Sequence, residues 1–173
     1  EELHATKLLS ALEVLTSLDY RELFSLLKKP VPKEPADILF QLKSEKIIKE
    51  EYDGYYITNF GALTAAANLH EFDGLASKAI RVIKYKGLNK ETTEKEFPGG
   101  KGYAIGFEGL IAFIKQLLPS NEIIKNAFRS EIALYPEIAL RELFANALIH
   151  QDFTIKGTGP LIEIFDDRIA ITN

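Results

Sequence analysis

Apolar residues recur at helical spacing through the first part of the chain. The sets are Leu8, Leu9, Leu12 and Leu15, then Leu23, Leu26 and Leu27, then Ile38, Leu39, Leu42 and Ile47. Steps of three and four residues keep each set on one side of a helix, so three short helices are predicted. Asp19 suits the N-cap of the second, because its carboxylate can accept from the open N–H groups of a first turn. Lys29-Pro30-Val31-Pro32 closes that helix, since proline has no N–H and clashes with the turn before it. Two tyrosine-rich, β-prone runs follow between Ile47 and Thr58, joined around Asp53-Gly54, which is hairpin chemistry. Asn59 and Gly61 then lead into an alanine-rich helix from about Ala62 to Leu69.

The pattern changes after His70-Glu71-Phe72. Ala79 to Tyr85 is apolar and β-branched, as in a strand, whereas Gly87 to Gly102 is polar and glycine-bearing, as in a loop. Phe107, Leu110, Ile111, Ile114, Leu117 and Leu118 form a helical stripe that Pro119 closes. Ile123 to Tyr135 reads as extended, and Pro136-Glu137 opens another helix. Two β runs end the sequence, Leu161 to Phe165 and Arg168 to Thr172, joined at Asp166-Asp167.

Composition narrows the class. In 173 residues, 46% are hydrophobic and 27% charged, so there is enough apolar surface to offset the entropy of folding. No apolar run is long enough to span a bilayer, and no secretory leader pattern opens the chain, so a cytoplasmic protein is expected. Cysteine is absent, which excludes disulfides, thiolate metal sites and cysteine nucleophiles. A net charge of −4 argues against a globally basic nucleic-acid binder and leaves room for a local basic patch. Methionine is also absent and Glu1 comes first, so the sequence is expected to be a piece of something longer.

Chemistry concentrates between Ala139 and Asp152. Glu142, Asn146 and His150 fall at i, i+4 and i+8 on an otherwise apolar helix carrying Leu140, Leu143, Phe144, Ala147 and Leu148. Such a stripe either faces a polar cavity for water, metal or ligand, or is simply wet. Spacing leaves both open.

The run Arg141-Glu142-Leu143-Phe144-Ala145-Asn146-Ala147-Leu148-Ile149-His150-Gln151-Asp152-Phe153 resembles the N-box helix of GHKL-type ATPases, the ATP-binding domains of gyrase, chaperones, histidine kinases and mismatch-repair proteins. More narrowly, the chain is similar to bacterial and archaeal transcriptional regulators described as RecG-related ATP-dependent DNA helicases, which carry a Schlafen/Alba-like N-terminal domain. That resemblance extends to Tyr56–Leu63, Ile80–Gly87 and Ile162–Ile169. It implies an α+β chain: a winged-helix-like segment over residues 1–70, then over 71–173 a partial GHKL (Bergerat) ATPase-like α/β sandwich lacking the glycine-rich lid.

The resemblance also implies roles. Asn146 takes the place of the asparagine that coordinates Mg²⁺ on the ATP phosphates, and Glu142 that of the glutamate that activates water. His150 and Asp152 match the narrower family's own pattern, where they either shape the phosphate end of the site or cap the helix. By strand parity Asn173 points to the same side as Ile169 and Ile171 and stands where GHKL proteins place the adenine-reading aspartate. The implied cofactors are ATP and Mg²⁺, with ATPase activity left open for the full-length parent and no turnover expected of this segment. The implied partners are DNA, through the winged-helix-like segment or the N-terminal domain, and further copies of the chain, with no membrane. The helix before the ribbon carries Glu34, Asp37 and Glu45 beside Lys33, Lys43 and Lys46, and those acids weaken phosphate binding. A non-catalytic interaction or dimerisation module with a degenerate nucleotide site is the competing reading.

Other candidates are weaker. Gly99-Gly100-Lys101-Gly102 lacks the spacing and hydroxyl of a phosphate loop and reads as a plain loop. Gly157-Thr158-Gly159-Pro160 suits the turn into the last hairpin, and His4 and His70 have no metal-ligand neighbours in sequence. A triad of Ser130, His150 and Asp152 has no nucleophile elbow to support it.

Overall fold

The computed structural model describes residues 4–118, 120–125, 128–133, 135–153, 155 and 157–173, with 120–125 and 128–133 described as backbone. It is a mixed α+β protein whose chain divides into two compact units. The first takes in Glu1–Ala79, Gly99–Phe107 and Thr154–Thr158, and the second Ile80–Pro98, Glu108–Phe153 and Gly159–Asn173. No helix among the described residues is long and apolar enough to cross a membrane.

In the first unit, helices α1 (Ala11–Ser17), α2 (Tyr20–Leu26) and α3 (Pro35–Ser44) precede strands β1 (Ile48–Glu51) and β2 (Gly54–Ile57), and α4 (Asn59–Ala65) follows. Val14, Phe24, Leu42, Ile47, Ile57, Ala62 and Leu69 are fully or almost fully buried in one cluster. Asp19 caps α2 as its position suggests, accepting from Glu22 N at 3.2 Å. The first helix starts later than the leucine spacing predicts. Ser10 and Glu13 close a capping box at Ala11, while Leu9 pairs with Tyr55 of β2 through both backbone groups. Leu8 and Leu9 thus precede the helix, and Leu9 adds to the hairpin's edge. Gly54 is required there, because a Cβ would stand 2.5 Å from the Leu9 carbonyl oxygen.

Ile47 likewise lies beyond its expected helix. Lys46 adopts a left-handed φ of 59°, with Ile47 N bonded to Leu42 O and Lys46 N to Lys43 O. That pair of bonds is a Schellman stop, which folds Ile47 back onto the core beside Leu42. Lys28, at φ 56°, ends α2 in the same way, with Lys29 N bonded to Phe24 O and Lys28 N to Ser25 O.

The second unit is built on a four-stranded sheet in the order β4-β3-β7-β8, with β3 (Arg81–Tyr85), β4 (Thr93–Pro98), β7 (Leu161–Ile164) and β8 (Ile169–Thr172). β3 and β7 are parallel, and the other neighbours antiparallel. β4 occupies a stretch that reads as loop. Its residues are charged because it is an edge strand, held by the β3 ladder and by the cross-strand pairs Arg81–Glu96 and Lys84–Glu94 rather than by burial. Helix α5 (Tyr103–Leu117), the hairpin β5 (Ser120–Lys125) and β6 (Phe128–Ala133), and α6 (Glu137–Ile149) lie between β4 and β7 in sequence. Phe97 of β4 meets Phe113 of α5 edge-on at 4.3 Å, so α5 covers the face of Val82 and Ile162. The opposite face carries Ile83, Tyr85 and Phe165.

Candidate functional site

Pro136 begins α6, its carbonyl accepting from Ala139 N and Leu140 N, and His150 ends it by donating its backbone N–H to Asn146 O. Leu140, Phe144 and Leu148 repeat every four residues and are buried, which fixes the rotation of the helix. Glu142, Asn146 and His150 therefore fall on the exposed side, with the exposed apolar residues Ile138, Leu143 and Ile149 around them. Among the described residues neither Glu142 nor Asn146 uses its side chain in a hydrogen bond or ion pair.

Arg141, between the buried and exposed sides, is a clamp that pattern reading missed. It donates through two nitrogens to Glu108 of α5, at 2.7 and 2.6 Å, and through Nε to Glu137 at 2.9 Å. Lys115 of α5 reaches the other oxygen of Glu137 at 2.6 Å. The guanidinium holds the Glu108 carboxyl below its usual range; Lys115 first and Arg141 second do so for Glu137. The two carboxylates in turn push Arg141 further up. α6 is thus fastened to α5 through polar groups on one flank, leaving the Glu142 and Asn146 side open.

Asn173 follows β8 and turns its side chain toward α6, where Nδ2 donates to the Ala147 carbonyl at 3.0 Å. Its partner is the helix residue next to Asn146. The last turn of α6 is closed by the buried Gln151, whose amide donates to Leu148 O at 2.9 Å. Asp152 is exposed just beyond it. The sequence-derived residues thus divide into an exposed stripe (Glu142, Asn146, His150), a residue past the helix end (Asp152) and a strand-end amide tied to the helix (Asn173).

An amide oxygen is a hard donor of the type Mg²⁺ takes alongside phosphate and water, so Asn146 could supply one ligand to such an ion. Among the described residues no cluster of three or more His, Cys, Asp or Glu side chains could hold a metal by itself.

A second polar cluster lies on the other face of the sheet. Glu163 is buried there, accepting from the Tyr85 hydroxyl at 3.2 Å and pairing with Lys90 at 2.5 Å. Burial, then the carboxylate, holds the Tyr85 hydroxyl above its usual range. Tyr85 stacks on Phe165 at 5.0 Å and the Arg168 guanidinium covers that ring at 3.9 Å. Asp166 accepts from Gly87 N and Arg168 donates to Leu88 O, tying the β3–β4 turn to the β7–β8 turn. The signal for Glu163 was present in Leu161-Ile162-Glu163-Ile164-Phe165, an acid sharing strand parity with Leu161 and Phe165.

The remaining candidates have structural roles. Gly102 packs its backbone against Ala65 and Ala66, where a Cβ would meet their nitrogens at 2.7 Å, and Lys101 lies 3.4 Å from Asp19. Gly157 to Pro160 leads into β7, with Pro160 O accepting from Arg81 N. His4 stacks on Tyr56 at 4.3 Å, and the His70 backbone N–H donates to Asn68 Oδ1. The side chain of Ser130 lies outside the described residues.

No protein-family model and no curated protein matches the chain. The fold is similar to that in the crystal structure of the DIP2311 protein from Corynebacterium diphtheriae, with a TM-score of 0.59 and 13% identity. The match covers 95% of this chain and 31% of that one, so this chain spans about a third of the length of its structural neighbour.

Proposed function

We propose that the second unit is a GHKL-like Mg²⁺-nucleotide-binding module, and that the chain is a segment of a larger cytoplasmic, DNA-binding regulator. The observation that carries this reading is the Asn173–Ala147 hydrogen bond, which brings the strand end to the helix residue adjoining Asn146. In the GHKL-type arrangement the adenine reader and the metal-binding asparagine come from such a strand and such a helix. An amide is ambiguous as an adenine reader, since it both donates and accepts. Here one of its two N–H groups is used by Ala147, and Oδ1 would act as the acceptor for an exocyclic amino group, the polarity a carboxylate would have. Asn146 Oδ1 would hold the ion and Glu142 would accept the proton of an attacking water. The bound Mg²⁺ would supply charge neutralisation on the phosphates. His150 continues the stripe and Asp152 follows the helix end; both would help shape the phosphate end of the site. Turnover is assigned to the longer parent, whose lid would enclose the nucleotide, and not to this segment.

The test is calorimetric titration of Mg²⁺-ATP into the longer protein containing this chain, with Asn146→Ala beside it. Mg²⁺-dependent binding that weakens at least about tenfold in the variant supports the reading, a loss comparable to that of one charge-assisted contact. Absence of Mg²⁺-dependent binding in the wild type removes it. The exposed Ile138, Leu143 and Ile149 favour the second reading, in which a protein partner covers α6 and the nucleotide site is degenerate.

A further inference from the structure

The outward face of α3 has a symmetry that its sequence position conceals. Ile38, Leu39 and Leu42 face the core, which leaves Phe40 at the centre of the solvent side, with 69% of its surface exposed. Asp37 and Lys43 lie three residues to either side of Phe40, and Ala36 and Ser44 four residues to either side; all are exposed. Lys43 also reaches Glu50 of β1 at 2.7 Å, so this face runs beside the hairpin, whose tip residue Tyr52 is fully exposed. Among the lysines around it, Lys29 pairs with Glu45 and Lys49 with Glu51 at 2.9 Å. With several of its cations already beside carboxylates and an aromatic ring at its centre, the face does not concentrate positive charge as a phosphate-binding surface does. It has the mixed, balanced character of a protein contact.

We propose that this face docks a second copy of the chain, α3 against α3 in antiparallel alignment about a two-fold axis through Phe40. In a two-fold contact, a residue i that meets residue j of the second copy is matched by j meeting i, so a self-complementary charge order is required. Antiparallel pairing centred on residue 40 sets Asp37 against Lys43 of the second copy, twice. It also sets Ala36 against Ser44, where small side chains let the helices approach and receive the Phe40 rings. A parallel alignment would oppose like charges at both positions. The contact stands in the first unit and does not depend on the nucleotide reading of α6. It assigns a surface to the homo-oligomer expected from the sequence.

The test is sedimentation equilibrium of the protein, at loading concentrations from about 10 to 500 µM, the range suited to a small interface. The wild type associates, and Phe40→Glu raises the dimer dissociation constant by about tenfold or more, as for a central aromatic anchor. Asp37→Lys alone weakens association several-fold at low salt. The swap Asp37→Lys with Lys43→Asp restores it to within about twofold, since the opposed charges are merely exchanged. Circular dichroism checks that each variant folds, and Ser44→Arg, which fills the place of the incoming ring, serves if Phe40→Glu does not. A wild type that stays monomeric, or a dimer indifferent to both Phe40→Glu and Ser44→Arg, overturns the proposal. A charge swap that fails to restore association overturns the antiparallel alignment. Binding of duplex DNA that is lost with Phe40→Glu would show that the face serves nucleic acid instead. Nucleotide titration of the same variants keeps this result separate from the α6 reading.

Discussion

Asn173 and Ala147 lie 26 residues apart in sequence and share a hydrogen bond of 3.0 Å, from the side-chain amide past the last strand to a carbonyl of α6. The bond fixes the strand end beside the helix that carries Glu142 and Asn146. It also uses an acceptor that the α6 ladder does not satisfy, because Ala147 lies within the last turn.

Stability and function should separate along α6. Phe144 is 1% exposed, so Phe144→Ala is expected to cost about 3–5 kcal/mol by emptying a core site. Asn146→Ala, two residues on and exposed, should change stability by less than about 0.5 kcal/mol. Urea unfolding of the two variants measures both. A large loss in Asn146→Ala would make the residue structural.

The Arg141 clamp predicts a pH-dependent difference. Glu108 and Glu137 are held below their usual range in the folded protein, so the stabilisation they give is complete above the unfolded carboxylate range. It is lost as pH falls through the lowered folded values, because the folded state then takes up the protons it had resisted. Arg141→Gln should therefore lower the urea midpoint at pH 7 and differ little from wild type once both carboxyls are protonated. Glu137 keeps Lys115, so part of its depression survives in the variant.

The buried Tyr85–Glu163 pair has the opposite window. The Tyr85 hydroxyl is raised, and an unfolded tyrosine ionises at about pH 10. Below that pH the stabilisation is complete, and it falls as pH rises from there toward the folded value, since only the unfolded chain releases its proton. Tyr85→Phe should cost about 1 kcal/mol at pH 7 through the lost hydrogen bond. It should also flatten the alkaline decline seen by circular dichroism. Lys90, raised by the same carboxylate, loses its contribution in the same direction, so part of the slope remains.

Lys46 offers a gain. A side chain at φ 59° crowds its own backbone, and glycine takes that conformation without penalty. Lys46→Gly should stabilise the protein by about 0.5–1 kcal/mol in thermal or urea unfolding, the net of relieved strain against added unfolded-state freedom. A loss instead would mean that the Lys46 side chain matters more than its backbone.

Several elements were legible locally. Asp19 as a cap, the hairpin at Asp53-Gly54 and the strand of Arg81–Tyr85 all follow from interactions within a few residues. The Glu142, Asn146 and His150 stripe was legible too, because helical spacing alone puts those residues on one side. Leu8, Leu9 and Ile47 were misplaced because leucine and isoleucine spacing does not show where a helix begins or ends. Ser10 and the left-handed Lys46 decided that through backbone hydrogen bonds. Thr93–Pro98 looked like loop because an edge strand needs no apolar face of its own.

Local chemistry along the chain thus settled the helix faces, the turns and the residue types available to a site, since each depends on neighbours a turn or a strand-step away. Only the tertiary structure decided that β3 pairs in parallel with β7, that Arg141 finds Glu108, that Glu163 is buried beneath Lys90 and that Asn173 reaches Ala147. Those partners stand 26 to 80 residues apart. No periodicity encodes such a pairing, because it is selected by which buried faces and charges fit together once the elements pack.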